Sequence, residues 1–199
     1  MIYLYGAGGH GKVIADILEC CGKAIGGVFD GVQTKRMWDY PTFNFPGPFD
    51  FEKDEIIISI GNNLVRKKIA GELNCRFATA IHPSSIISRH STIGEGTVVM
   101  PGAIVNADTK IGKHGILNTG CSIDHDCVIG DYVHISPQAV LCGGITVGEG
   151  THIGTGAIVI PGITIGSNSM IGAGAVVIND VPSDCTVVGV PARVIKMHG

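Results

Sequence analysis

The sequence predicts two units joined end to end: a small α/β half of βαβαβ pattern and, after it, an all-β parallel helix of six-residue repeats. Two observations predict this. Starting at Ile81 and ending at Val177, every sixth residue is aliphatic, seventeen positions in succession. Before Ile81 there is no period of six, and short apolar runs alternate with glycine turns and amphipathic stretches.

In the first half, IYLY (2–5) reads as a buried strand, GAGGHG (6–11) as a glycine turn and KVIADILECCG as a helix with Val13, Ile14, Ile17 and Leu18 on one face. AIGGVFD ends a second strand at Asp30, and EIIISIGNN (55–63) supplies a third, followed by a helix through LVRKKIAGEL. The segment between them, WDYPTFNFPGPFDFEKD, is rich in proline and aromatics and reads as an ordered loop. Together these make half of a Rossmann fold. GAGGHG satisfies GxGxxG between a strand and a helix, with Asp30 about 20 residues on. A dinucleotide needs two such halves, and the repeats leave room for one. A single nucleotide diphosphate, such as that of a nucleotide sugar, fits better.

Period six is neither a helical face nor simple strand alternation, so each hexad must be a short strand plus a turn. Three such strands close a triangular coil of 18 residues, and stacked coils hydrogen-bond at about 4.8 Å with an aliphatic ladder inside. Glycine often follows the aliphatic (Gly94, Gly112, Gly130, Gly148), and a small residue usually stands two before it (Ser85, Thr97, Ala139, Ala157). The expected boundaries are 1–78 for the nucleotide-sugar unit, 79–180 for the β-helix and 181–199 for a segment closing it.

A formal charge of −3 gives no basic field for nucleic acid or an anionic membrane, so neither is expected as a partner. The seven cysteines include no CxxC pair, and Cys121 and Cys127 read as small buried hydrophobes. The N-terminus lacks a signal-peptide pattern and no apolar run reaches membrane-spanning length, so a cytoplasmic protein is expected.

Within the repeats, IDHDCVIGDYVH (123–134) is conspicuously polar. Imidazole, with a free pKa of about 6.5, can take a proton from an attacking nucleophile at neutral pH, which makes the histidines of this stretch candidate general bases. A neighbouring carboxylate raises that basicity. Adjacent strand residues point to opposite faces, so Asp126 reaches His125 only across a turn, and Asp124 is the competing partner. Residues 18 apart should stack, placing His134 over His152 and forming a column of Asn118, Ser136, Gly154 and Gly172 whose glycines would leave space for the extended arm of a ligand along the prism. His152, His82, His90, His114 and His198 are otherwise read as structural or surface histidines, His152 as a solvated one.

The combination of GAGGHG and IGNN, uninterrupted hexads carrying DHD and then His134, and a terminal VGVPARVI resembles the bacterial sugar O- and N-acetyltransferases of the hexapeptide-repeat, left-handed β-helix superfamily. Among them are the UDP-4-amino-4,6-dideoxy-sugar N-acetyltransferases of glycan and surface polysaccharide biosynthesis, with sialic acid O-acetyltransferases as relatives. The resemblance implies the handedness, a homotrimer with sites between prisms, and acetyl-CoA as the acyl-donor cosubstrate. It implies that Gly8, Gly9, His10, Asp30 and Gly61 bind the nucleotide sugar, that His125 is the general base and Asp126 raises its basicity, and that His134, Thr155 and Ala173 contact acetyl-CoA. O-acetylation of sialic acid or another sugar hydroxyl needs the same base and donor and stays open.

Three rivals belong to other classes. A γ-carbonic anhydrase type of metalloenzyme would need histidines five apart, which the chain lacks, so no metal is expected. An NAD-dependent oxidoreductase built on GAGGHG and Asp30 is disfavoured by the size of the first unit. A noncatalytic scaffold would leave the DHD stretch inert.

Overall fold

Each hexad forms a two-residue strand followed by a turn, as in Ile104–Val105, Lys110–Ile111 and Ile116–Leu117. The computed structural model describes residues 1–32 and 36–199. Strands pair in parallel with those 18 positions away: Ile104 with Ser122, Lys110 with Val128, Ile116 with His134. Three flat faces result, and the coil is a left-handed parallel β-helix. The first face begins at Ala80–Ile81 and ends in the strands Cys185–Val188 and Arg193–Met197. The second runs from Ile86–Ile87 to Val176–Val177, and the third from Thr92–Ile93 to Thr164–Ile165.

The inward aliphatics from Val99 to Val177 are 0–4% exposed and form one continuous core with Cys121, Cys127 and Cys185. Burial of a Leu, Ile or Val side chain contributes about 1.5–3 kcal/mol, so this ladder is the main stabilising term of the prism. Ile81, Ile87 and Ile93 follow the same register but stay partly exposed, because they occupy the open end with no coil beneath them.

Two sets of glycines recur along the prism. Gly96, Gly102, Gly120, Gly144 and Gly150 take left-handed φ at turns. Those following an inward aliphatic do not; a Cβ on Gly130 would lie 2.8 Å from the Glu149 nitrogen, so close stacking of coils is what requires glycine there.

The first half has the order β1 (Ile2–Tyr5), α1 (Gly9–Cys20), β2 (Ile25–Phe29), β3 (Thr42–Phe43), β4 (Glu55–Ile58), α2 (Asn63–Glu72) and β5 (Arg76–Phe77). Its sheet is parallel in the order β3-β2-β1-β4-β5. The segment read as a loop therefore contains a strand, β3, which pairs with Val28 and Phe29; two residues are too few to show a period. Tyr3, Phe29 and Phe49 pack on one side of the sheet. On the other, α1 buries Ile14, Ile17 and Leu18 and lies against Ala80, Val98 and Ile116 of the prism's first face. Val13, expected on that buried stripe, is 38% exposed: the helix meets the prism along a narrower line than an amphipathic count suggests.

Candidate active site

The DHD stretch lies at the corner between the second and third faces, after the strand Ser122–Ile123. Asp126 has φ 59°, a left-handed turn that folds its side chain back beside its neighbour. Its Oδ2 lies 2.7 Å from Nδ1 of His125. Asp124 is engaged otherwise, its Oδ1 accepting from Asn106 Nδ2 and from the His125 backbone N–H, both at 2.8 Å. The choice between the two aspartates thus goes to Asp126, by backbone geometry. An ionised carboxylate only accepts, so Nδ1 carries the proton and Nε2 keeps its lone pair. The Asp126 hydrogen bond, and then the charge of Asp124, hold the imidazole above its ordinary pKa. The ring is exposed, and its lower edge rests over Gly143, one coil on.

His134 belongs to the first face, so a single chain does not bring it to His125. Its Nε2 is 3.1 Å from Asn118 Nδ2, and Asn118 Oδ1 accepts from the Thr119 N–H at 2.8 Å, which fixes the amide's orientation and makes His134 Nε2 the acceptor. His134 stacks on His152 with ring centres 4.5 Å apart. His152 is therefore not a solvated surface histidine: it is half-buried in this stack and its Nε2 lies 2.7 Å from Ser136 Oγ. Burial first, then the neighbouring His152, pushes His134 down to about 3, and burial with the nearby Arg66 cation lowers His152. His114 is likewise buried, stacked on Tyr132 with centres 5.2 Å apart.

Thr155 and Ala173 are exposed and stack at the corner between the first and second faces, where the Gly174 N–H donates to the Thr155 carbonyl at 2.8 Å. The space expected above Ser136 is not there. A Cβ on Gly154 would meet the Ile171 carbonyl oxygen at 2.5 Å and one on Gly172 the Val188 side chain at 2.7 Å, because the next layer of chain fills the column. At this corner Gly156 and Gly174, beside Thr155 and Ala173, are open instead.

Gly8, Gly9, His10, Asp30 and Gly61 gather at the carboxyl ends of β1, β2 and β4, where open parallel sheets bind ligands. Gly8 caps α1 without a side-chain hydrogen bond. A Cβ at Gly8, Gly9 or Gly61 would meet nothing within 4 Å, so their backbone is open to approach. Asp30 accepts from the Ala7 and Val32 N–H groups, each at 2.9 Å, and so braces the turn from below. Burial, followed by the Arg66 charge, lowers His10 to about 4, and its Nε2 is buried. Arg66, read in the sequence only as part of a helix, is 1% exposed beneath Gly61; no local pattern marks an arginine as inward. Among the described residues no group of three or more His, Cys, Asp or Glu could hold a metal ion, and no helix is long and apolar enough to cross a membrane.

Residues 1–73 match the PglD N-terminal domain and residues 144–179 the bacterial transferase hexapeptide, six repeats. UDP-N-acetylbacillosamine N-acetyltransferase of Bacillus subtilis (strain 168) is 42% identical over 111 residues, a match covering 49% of this chain and half the length of that relative. Among solved structures, PerB from Caulobacter crescentus in complex with CoA and GDP-perosamine has a TM-score of 0.92 at 36% identity, covering 98% of this chain and 97% of that one. The acetyltransferase domain of PglB from Neisseria gonorrhoeae FA1090 in complex with acetyl coenzyme A gives 0.92 and 36%, covering 98% of both chains. With identity above 30% sustained over the full length of these structures, the chain belongs to the hexapeptide-repeat sugar N-acetyltransferase family that carries a PglD-type N-terminal domain.

Proposed function

We propose that the protein transfers the acetyl group of acetyl-CoA to the amino group of a UDP-linked 4-amino-4,6-dideoxy sugar, a step of glycan or surface polysaccharide biosynthesis. The observation that carries this is the exposed His125 imidazole, oriented through Nδ1 by Asp126 at 2.7 Å, which leaves the lone pair on Nε2. Acetyl-CoA supplies the activated acyl carbon. Nε2 of His125 takes the proton that the sugar amine sheds as it attacks and returns it to the departing sulfur, so no charge accumulates on either group. Gly8, Gly9, His10, Asp30 and Gly61 hold the nucleotide sugar, with the diphosphate at the α1 N-terminus, where backbone N–H groups and the helix dipole favour anions. His134, Thr155 and Ala173 contact the acyl donor. Neutral His134 can donate only through Nδ1, since Nε2 accepts from Asn118, and that Nδ1 is buried in the single chain.

The active assembly is a homotrimer built on the second face. Its outward ladder, Ile86, Ile104, Ser122, Val140, Ile158 and Val176, is aliphatic at every position but one, whereas the third face presents Thr92, Lys110, Val128, Thr146 and Thr164, polar at every position but one. Ile86 is 65% exposed in the single chain, the kind of apolar area that marks an interaction site. His125 borders this face on one edge, Thr155 and Ala173 on the other. A three-fold arrangement about it lays the base of one copy against the acyl-donor edge of the next. The deciding experiment is CoA-thiol release with UDP-linked amino sugars: His125→Ala should lower kcat by about 10² to 10⁴ with both ligands still bound. Unchanged turnover in that variant refutes the catalytic reading.

A further inference from the structure

Besides the packing of α1 on the first face, the two halves meet through one helical face of α2, whose polar contacts follow the coil repeat. Arg66 Nε donates to the His114 carbonyl at 2.8 Å and Nη2 to the Tyr132 carbonyl at 2.9 Å. Asn63 Nδ2 donates to the Gly150 carbonyl at 2.9 Å. Residues 114, 132 and 150 are 18 apart, so α2 engages the same turn on three consecutive coils. His114, Tyr132 and Gly150 all have left-handed φ, between 51° and 70°. The rest of the guanidinium grips the sugar side: Nη1 donates to the Ile60 and Gly61 carbonyls at 3.0 and 3.2 Å, and Nη2 to Asn63 Oδ1 at 2.8 Å. All of these acceptors are neutral. Lys67 adds an ion pair to Glu149 on the same edge.

A buried cation among neutral acceptors is a costly way to hold two units together, since hydrophobic side chains of similar volume do as well or better. What the guanidinium supplies is direction: a planar fork whose donors fix several oxygens at once, which no apolar contact and no lysine reproduces.

We propose that Arg66, with Asn63, is a positioning residue for acyl transfer, fixing the Gly61 rim of the nucleotide-sugar pocket at a set height on the prism so that a sugar held by its nucleotide presents its amine to the acyl site. This rests on the acetyltransferase reading above. The nucleotide then acts as a handle, and its binding energy is useful only if pocket and acyl site keep a constant separation.

The test compares two acceptors, the UDP-linked amino sugar and the same amino sugar without its nucleotide, in the wild type, Arg66→Met, Arg66→Lys and Asn63→Ala. The wild type should prefer the UDP-linked form in kcat/KM. In Arg66→Met the preference should fall by about 10- to 100-fold, the cost of misplacing reacting groups by an ångström or so, through kcat rather than KM. Activity on the free sugar and affinity for UDP should stay within about twofold, because the acyl site and the pocket are each intact. Arg66→Lys should fail to restore the preference. Asn63→Ala, which keeps the Asn62 cap of α2, should lower it in the same direction and decides the matter if Arg66→Met does not fold. Equal loss on both acceptors, or an unchanged preference in Asn63→Ala and Arg66→Lys, overturns the positioning role. A wild type that does not acetylate the UDP-linked sugar overturns instead the functional reading on which it rests.

Discussion

Gly143→Ala isolates the placement of the catalytic ring from its chemistry. Gly143 lies outside the left-handed region, so alanine is free of backbone strain there. Its Cβ, however, would stand 2.7 Å from His125 Cε1, 2.8 Å from Nε2 and 3.2 Å from Nδ1. Carbon atoms settle at about 3.5 Å or more, so the ring must retreat by about 0.8 Å. The ring is exposed and yields outward, which leaves stability within about 0.5 kcal/mol, as for other surface substitutions. Catalysis has no such freedom. A displacement approaching an ångström lowers kcat by about 10- to 100-fold, less than removal of the base. Steady-state CoA-thiol release, with acetyl-CoA affinity measured separately, reads this directly. The double variant with His125→Ala should be no slower than His125→Ala alone, because the alanine acts through the ring it displaces. A wild-type kcat in Gly143→Ala, or a double variant in which the two losses multiply, would refute the argument.

Two further outcomes follow from the same geometry. Neutral His125 is the active form, so kcat/KM should rise with pH through the site's apparent pKa; Asp126→Asn removes the main group holding that pKa up and should move the limb to lower pH, whereas Asp124→Asn, which removes only a nearby charge, should move it in the same direction by less. A pH–rate series on the three proteins checks the order. Asp30→Ala takes away the acceptor of the Ala7 and Val32 N–H groups and should weaken nucleotide-sugar binding while acetyl-CoA affinity stays nearly unchanged, as calorimetry with each ligand separately would read; equal loss of both would mean a folding defect.

The β-helix could be read residue by residue because its repeat is local. One aliphatic per six residues and three strands per coil fix which positions point inward and which stack, so the His134 over His152 column follows from counting. The glycine turn was legible for the same reason, its strand, turn and helix being contiguous. What counting could not supply was anything set by one residue's dihedral angle or by contact between distant segments. Asp126 reaches His125 because its φ is positive, whereas alternation along a strand argued for caution about that pairing. Gly154 and Gly172 looked like space and are filled by the next layer of backbone, because a missing side chain says nothing about what occupies its place. His152 looked solvated and is half-buried by the stacked His134 of the neighbouring coil. Arg66 is the clearest case: it sits among charged residues on an otherwise exposed helix, and only docking against carbonyls 48 and 66 positions away gives it an interior. Sequence fixes a periodic scaffold because each repeat carries its own instructions, while an active site and a domain junction are sums of long-range contacts that exist only once the chain has closed on itself.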